Sequence, residues 1–164
     1  MSWDSDALRI LATAYAQTLF AIQSGQMGLI IKRRFPTTKE YNELRQLAQW
    51  PTFDEELIRE ALANSLFSVA IENETGQIIG MGRVLGDKAI YLHIQDVIVR
   101  PQFQRQGIGK LIMNELLQYV DSIGGKTTNI GLMSSKGREK FYKSFGFIER
   151  PSEKFGSGMI KIKQ

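Results

Sequence analysis

An α+β fold, a β-sheet flanked by helices, is what this sequence predicts, and three observations predict it. Apolar runs of strand character and runs of helical spacing follow one another in the order β-α-α-β-β-β-α-β-α-β. The runs Leu66 to Glu72 and Gln77 to Leu85 flank Asn73-Glu74-Thr75-Gly76, a four-residue hairpin turn. From Ile90 to Val120 a strand, a glycine-bearing turn and an amphipathic helix stand in immediate succession. With 164 residues, 43% of them hydrophobic, the chain fits one globular domain with a core of its own.

Composition removes several chemistries. The absence of cysteine excludes thiol nucleophiles, disulfides and thiolate metal sites. His93 is the sole histidine, so a multi-histidine metal centre within one chain is excluded and no metal is expected. A Ser-His-Asp hydrolase is poorly supported, since no Gly-x-Ser-x-Gly turn is present. The net charge of +4 and pI near 9.4 suit an anionic ligand. Lys32-Arg33-Arg34 is the only basic cluster and no basic stripe interleaves with aromatics, so it reads as a solvated strand end and no nucleic-acid partner is expected.

Residues 10 to 31 carry no charge. They read as neither a signal nor a membrane segment, because Asp4, Asp6 and Arg9 do not form a basic leader and Thr13, Gln17, Thr18, Gln23, Ser24 and Gln26 interrupt the apolar run. A cytoplasmic location and no membrane association are the expectation. Leu8, Leu11, Tyr15, Leu19 and Ile22 share one face of a helix spanning 5 to 23. That helix can pack on the domain, bury itself in a partner subunit as a homodimer, or stand as an extension. Ser24 to Gly28 reads as a linker, which divides the chain into an extension, 1–28, and a domain, 29–164.

The domain opens with the strand Leu29-Ile30-Ile31. Thr37 or Thr38 caps a helix reaching about Gln49 with Tyr41, Leu44 and Leu47 inward, and Trp50-Pro51 breaks it. A second helix runs from Asp54 to Asn64 with Leu57, Ile58, Ala61 and Leu62 as its apolar face. After the hairpin, Gly86-Asp87-Lys88 turns the chain into the central strand. There Ile90, Leu92 and Ile94 alternate with Tyr91, His93 and Gln95, and then the phase breaks: Asp96 stands where an apolar residue should, followed by Val97-Ile98-Val99. Either a β-bulge near Gln95 to Val97 or burial on both faces accounts for the break, and a bulge would splay the strand and free backbone groups to bind a ligand.

The next helix begins at Ile108 and carries Leu111, Ile112, Leu116, Tyr119 and Val120 at helical spacing. Gly107 and Gly109 at its start leave the first-turn N–H groups open, an arrangement suited to a phosphate, and Arg105 and Lys110 add positive charge. It is not a Walker loop, because Leu111 replaces the required Ser or Thr. Nor is it the dinucleotide fingerprint, because Ile112 stands where the third glycine belongs. Beyond Gly124-Gly125 the pattern predicts a strand from Thr127 to Met133 and a short helix from Gly137 to Ser144 capped by Ser134 or Ser135. Phe141 and Phe145 face inward on that helix, Gly146 ends it, and Met159-Ile160-Lys161-Ile162 reads as a closing strand.

Gln104-x-x-Gly107-x-Gly109, preceded by Val97-Ile98-Val99-Arg100-Pro101, resembles the acyl-coenzyme A signature of the GCN5-related N-acetyltransferase (GNAT) superfamily, Gln/Arg-x-x-Gly-x-Gly/Ala. Phe141-Tyr142-Lys143-Ser144-Phe145-Gly146-Phe147 resembles that family's Phe-Tyr-x-x-Leu/Phe-Gly-Phe element, and the likeness covers about 29 to 164. It implies a mixed, mostly antiparallel central sheet with a bulged, splayed strand. It also implies that Val97, Ile98 and Val99 line the pantetheine of acetyl-CoA and that Gln104, Arg105, Gln106, Gly107, Ile108, Gly109 and Lys110 cradle its pyrophosphate. Tyr142 is implied as the acid that protonates the departing thiolate, and Trp50 and Phe53 as neighbours of the acceptor. Trp50 reads equally as a core aromatic. Relatives carry an asparagine where this chain has Ser135, so that cofactor contact becomes a serine's.

The resemblance implies an acetyl-CoA-dependent N-acetyltransferase for a small-molecule primary amine. Asp96 and His93, beside the suspected bulge, are the candidates for a base or water relay; Asp96 can equally bind a cationic substrate or cap the bulge. Transfer to a protein or peptide amine, and a non-catalytic acyl-CoA-binding module, are the competing functions.

Overall fold

The computed structural model describes residues 28–162. The helix expected over 5–23 and most of its linker lie outside the described residues. The chain forms two compact units that divide between Ile130 and Gly131.

A five-stranded sheet has the order β1-β2-β3-β4-β5, formed by β1 (Ile30–Lys32), β2 (Phe67–Glu72), β3 (Ile78–Gly86), β4 (Tyr91–Val99) and β5 (Asn129–Leu132). The first four pair antiparallel in succession. In the first unit, the Asn129 N–H donates to the Ile90 carbonyl at 2.8 Å, tying the start of β5 to the start of the central strand. The Asn73 carboxamide oxygen shapes the β2–β3 turn by accepting from the Thr75 and Gln77 N–H groups at 3.1 and 2.9 Å.

Helices α1 (Thr38–Leu47) and α2 (Glu55–Ala63) follow β1. Thr37 caps α1 in a reciprocal box: its hydroxyl accepts from the Glu40 N–H at 3.2 Å, and Glu40 accepts from the Thr37 N–H at 2.7 Å. The helix stops at Leu47, short of the expected Gln49, where the backbone turns left-handed at φ 60. Tyr41 and Leu44 from α1 and Ile58 and Leu62 from α2 pack on Ala70, Met81 and Ile98 of the sheet.

Helix α3 (Ile108–Ile123) covers the opposite face. Cβ atoms built at Gly80 and Gly82 would meet Ile112 side-chain carbons at 2.9 and 2.7 Å, so these glycines let α3 lie close to β3. Ile108, Ile112, Met113, Leu116 and Val120 are buried. At about 1.5–3 kcal/mol for each such side chain, that stripe fixes α3 whether or not its first turn is capped.

The second unit holds helix α4 (Glu139–Lys143), shorter than the expected 137–144 and preceded by Arg138 rather than a serine cap. The expected closing strand does not form: Met159, Ile160 and Ile162 are 93%, 76% and 78% exposed in irregular backbone. A short apolar run is a strand only when another strand accepts it, and local composition carries no information about that partner.

Candidate functional site

The phase break in β4 is a bulge. Ile98 pairs with Met81 and Gln95 with Arg83, so Asp96 and Val97 together oppose Gly82. Asp96 takes a left-handed backbone, φ 54. Cross-strand partners share a face of the sheet. Ile94, opposite Val84, therefore lies on the α3 side, whereas Ile98, opposite Met81, lies on the α1 and α2 side. One inserted residue moves the strand's apolar set from one core to the other.

Asp96 turns toward α1 and is 3% exposed. Its carboxylate accepts from the Arg83 Nε at 2.7 Å, the Arg45 Nη1 at 3.0 Å and the Tyr41 hydroxyl at 2.7 Å. Arg83 also donates to the Ser65 hydroxyl at 2.8 Å and the Ala61 carbonyl at 3.2 Å. Arg45 donates to the Pro51 carbonyl at 2.7 Å and lies 5.4 Å from the Trp50 ring and 4.6 Å from the Phe53 ring. Burial, followed by the charge of Asp96, pushes the Tyr41 phenol up to about 12, which keeps it a donor. Two guanidinium groups and a phenol thus occupy this carboxylate from two elements, α1 and β3.

His93, opposite Leu85, is half-buried on the same side as Arg83. Burial holds its imidazole below the ordinary value of 6.5, with a hydrogen bond to Gln95 opposing. Trp50 is partly buried and packs against the core cluster, while Phe53 is 43% exposed.

After β4, a single 3₁₀ turn (Pro101–Phe103) leads to Gln104, whose Nε2 donates to the Val99 carbonyl at 3.0 Å. Because the Arg100 N–H donates to Ile79, alternation of an antiparallel ladder turns the Val99 main chain away from β3, where Gln104 meets it. Arg105 and Gly107 both have left-handed backbone, φ 61 and 85. Neighbouring left- and right-handed residues converge their N–H groups into an anion-binding concavity. The first backbone donors of α3 engaged by the protein are Lys110 and Leu111, both to the Gly107 carbonyl. Among the described residues, the N–H groups of Arg105, Gln106, Gly107, Ile108 and Gly109 meet no acceptor. Among the described residues, nothing beyond the chain neighbours lies within 4 Å of a Cβ built at Gly107, so the turn is open above its glycine. Ile108 is buried and pins the turn, while Arg105, Gln106 and Lys110 are exposed.

Tyr142 and Ser135 belong to the second unit. Tyr142 is half-buried in edge-on contact with Phe141 and Phe147, ring centroids 5.1 and 6.3 Å away. Burial raises its phenol above the ordinary 10.0, with Arg138 acting in the other direction, so the hydroxyl is protonated at neutral pH. Ser135 is exposed, and its carbonyl accepts from the Arg138 N–H at 3.0 Å.

The sequence reading placed the bulge and the glycine turn but missed Tyr41, Arg45 and Arg83 as partners of Asp96. A signal existed: a carboxylate in an apolar strand demands a buried cation, and Arg83 stands alone in the apolar run Ile78 to Leu85.

A family model described as an acetyltransferase (GNAT) domain matches residues 37–163. The uncharacterized N-acetyltransferase ycf52 of Pyropia yezoensis is 28% identical over 115 residues, 66% of this chain and 65% of that protein. The chloroplastic serotonin N-acetyltransferase 2 of Oryza sativa subsp. japonica is 27% identical over 148 residues, 88% of this chain and 70% of that protein. This chain thus spans about two thirds of the length of these curated relatives. A crystal structure of a Staphylococcus aureus protein of unknown function, a probable acetyltransferase, superimposes with a TM-score of 0.76 at 29% identity, covering 83% of this chain and 99% of that one. Among the described residues, no helix is long and apolar enough to cross a membrane, and no group of potential metal ligands is found.

Proposed function

This chain belongs to the GCN5-related N-acetyltransferase (GNAT) superfamily, and on that premise we propose that it transfers an acetyl group from acetyl-CoA to a primary amine of a small molecule. The observation that carries the reading is the run of unpaired N–H groups from Arg105 to Gly109, beside a bulged strand. Such a run suits a diphosphate: the donors are fixed by the fold, the helix start is electropositive, and Arg105 and Lys110 supply mobile charge.

Acetyl-CoA supplies the activated acyl carbon and a thiolate leaving group. The donors at 105–109 hold the diphosphate, with Gln104 bracing the turn against Val99 and Ser135 offering a hydroxyl. The main chain of Val97 to Val99 holds the acyl arm, and an N–H of this segment polarises the carbonyl. The amine nitrogen attacks the acyl carbon as the carbon–sulfur bond breaks. His93, kept neutral by burial, takes the amine proton directly or through water, and Tyr142 gives its proton to the sulfur. Asp96 fixes the bulge and does not take the proton, because its carboxylate is buried and already engaged by Arg45, Arg83 and Tyr41. The small-molecule acceptor draws support from the rice relative named as a serotonin N-acetyltransferase, which matches 88% of this chain.

The test is a thiol-release screen with acetyl-CoA over arylalkylamines, polyamines, amino sugars, aminoglycosides and lysine peptides, run with calorimetry of CoA binding. Thiol release with a small amine is expected. Release with peptides alone would transfer the reading to protein acetylation. CoA heat without release from any amine would leave a binding module, and the absence of both heat and a melting shift would overturn the reading.

A further inference from the structure

We propose that helix α1 is a positioning bracket for the acyl-binding segment of β4, gripping the strand on both sides of Val97–Val99 through side chains that touch no substrate. The inference rests on the acetyl-transfer reading and adds residues to it. On the upstream side, Arg45 and Tyr41 of α1 hold Asp96, at 3.0 and 2.7 Å. On the downstream side, Glu43 of α1 accepts from the Arg100 Nη2 at 2.7 Å, while the Arg100 Nε donates to the Ile78 carbonyl at 2.6 Å. Arg100 is 5% exposed. Between these grips, Leu44 of α1 and Ile98 of β4 are buried in one cluster.

The polarity of the two grips is opposite. Upstream the helix brings the cation and the strand the anion; downstream the helix brings the anion and the strand the cation. Sliding the helix one way along the strand would bring Glu43 toward the buried Asp96, and sliding it the other way would bring Arg45 toward the buried Arg100, like charges in either case, so the pairing fixes position as well as attraction. Asp96 needs such a hold because a left-handed backbone is unfavourable for a residue with a side chain unless its surroundings enforce it. The rings of Trp50 and Phe53 beside Arg45 shield the upstream grip from water. A buried ion pair is a poor source of stability compared with apolar packing. What this arrangement specifies is the geometry of the segment that holds the acyl arm.

The cradle at 105–109 is fixed separately, by the burial of α3 on the other face of the sheet. Loosening the bracket therefore lowers kcat far more than it weakens CoA binding. The experiment compares Asp96→Asn, Glu43→Gln and Arg45→Lys with the wild-type chain, reading CoA dissociation constant and site number by calorimetry. It also reads kcat per binding site across pH, with tryptamine as acceptor, or as acetyl-CoA hydrolysis if tryptamine is not acetylated. Misplacement of reacting groups by about 1 Å lowers rates about 100-fold, so Asp96→Asn is expected to lose about that factor and Glu43→Gln, at the more exposed grip, about five- to tenfold. Arg45→Lys is expected to retain part of the rate, and CoA affinity is expected within about threefold throughout. The pH profile of Asp96→Asn keeps its wild-type shape, as a proton-accepting Asp96 would not allow. Should Asp96→Asn fail to fold, Glu43→Gln and Arg45→Lys decide by the same criterion.

Wild-type kcat per site in the folded variants overturns the bracket, as does a parallel loss of kcat and CoA affinity or disappearance of the acid limb in Asp96→Asn. A wild-type chain that binds no CoA is a different result, which removes the acetyl-transfer reading itself.

Discussion

Replacing Gly107 with alanine separates the cost of the turn from its use. Gly107 caps α3 at φ 85, a conformation that disfavours a Cβ by about 1–2 kcal/mol. Because no atom of the described residues beyond the glycine's chain neighbours lies within 4 Å of the new methyl group, no steric clash adds to that figure. The melting temperature should fall by about 2–4 °C for each kcal/mol. CoA binding should suffer more, since the methyl stands at the open turn and disturbs charge-assisted hydrogen bonds worth about 1.5–3 kcal/mol each, or roughly ten- to 150-fold in Kd. The control is Gly82→Ala, whose methyl would meet Ile112 Cγ2 at 2.7 Å and Leu116 Cδ1 at 2.8 Å. Overpacking there costs about 1–3 kcal/mol, so the control should melt at least as early yet bind CoA with little change. Thermal melts and calorimetry on both variants give the comparison. If Gly107→Ala binds CoA as the wild type does, or both variants lose affinity in proportion to stability, the open N–H groups do not hold the diphosphate.

Further outcomes follow from individual side chains. Tyr142→Phe should lower kcat by about 100-fold, the low end for loss of an acid catalyst, with CoA affinity unchanged by calorimetry. In the wild type, kcat/KM should fall as pH drops through a value below the ordinary histidine 6.5, because acid protonates the base; His93→Gln should lose that limb in a pH–rate profile. Thr37→Ala removes the α1 capping box and should cost about 1 kcal/mol, read from a circular dichroism melt. Arg34 holds Glu40 down at about 2, against an ordinary 4.5. That depressed carboxylate contributes fully above pH 4.5 and its contribution fades as pH falls toward 2, so urea midpoints should drop on acidification, and drop less in Arg34→Met.

The legible parts of this chain are those whose information is local. The Gln104 to Lys110 turn can be read from sequence because its chemistry belongs to the backbone, and glycine is what frees a backbone. The bulge was likewise visible, as a charged residue breaking an apolar rhythm. The partners of Asp96 were not, since they arrive from 55, 51 and 13 positions away along the chain. The same limit explains Met159 to Ile162, apolar in composition but irregular in backbone. It also explains His93 and Asp96, which read alike as polar residues beside a bulge. Burial and three donors support the structural part proposed for Asp96, while burial holds the half-buried His93 below the ordinary histidine value.

Asp96 and the bulge specify each other. Continuing the upstream pairing of Ile94 with Val84 and Gln95 with Arg83 as a regular ladder would set Asp96 opposite Gly82. A Cβ at Gly82 points into Ile112 and Leu116, so a regular strand would drive the carboxylate into the apolar face of α3. Burying an unpaired carboxylate there would cost several kcal/mol. The inserted residue instead turns it to the face where Arg45, Arg83 and Tyr41 wait. It follows that an apolar residue at position 96 would remove the penalty on the regular register. The strand could then close without its bulge, stable in its packing and without the distortion on which the proposed acyl binding depends.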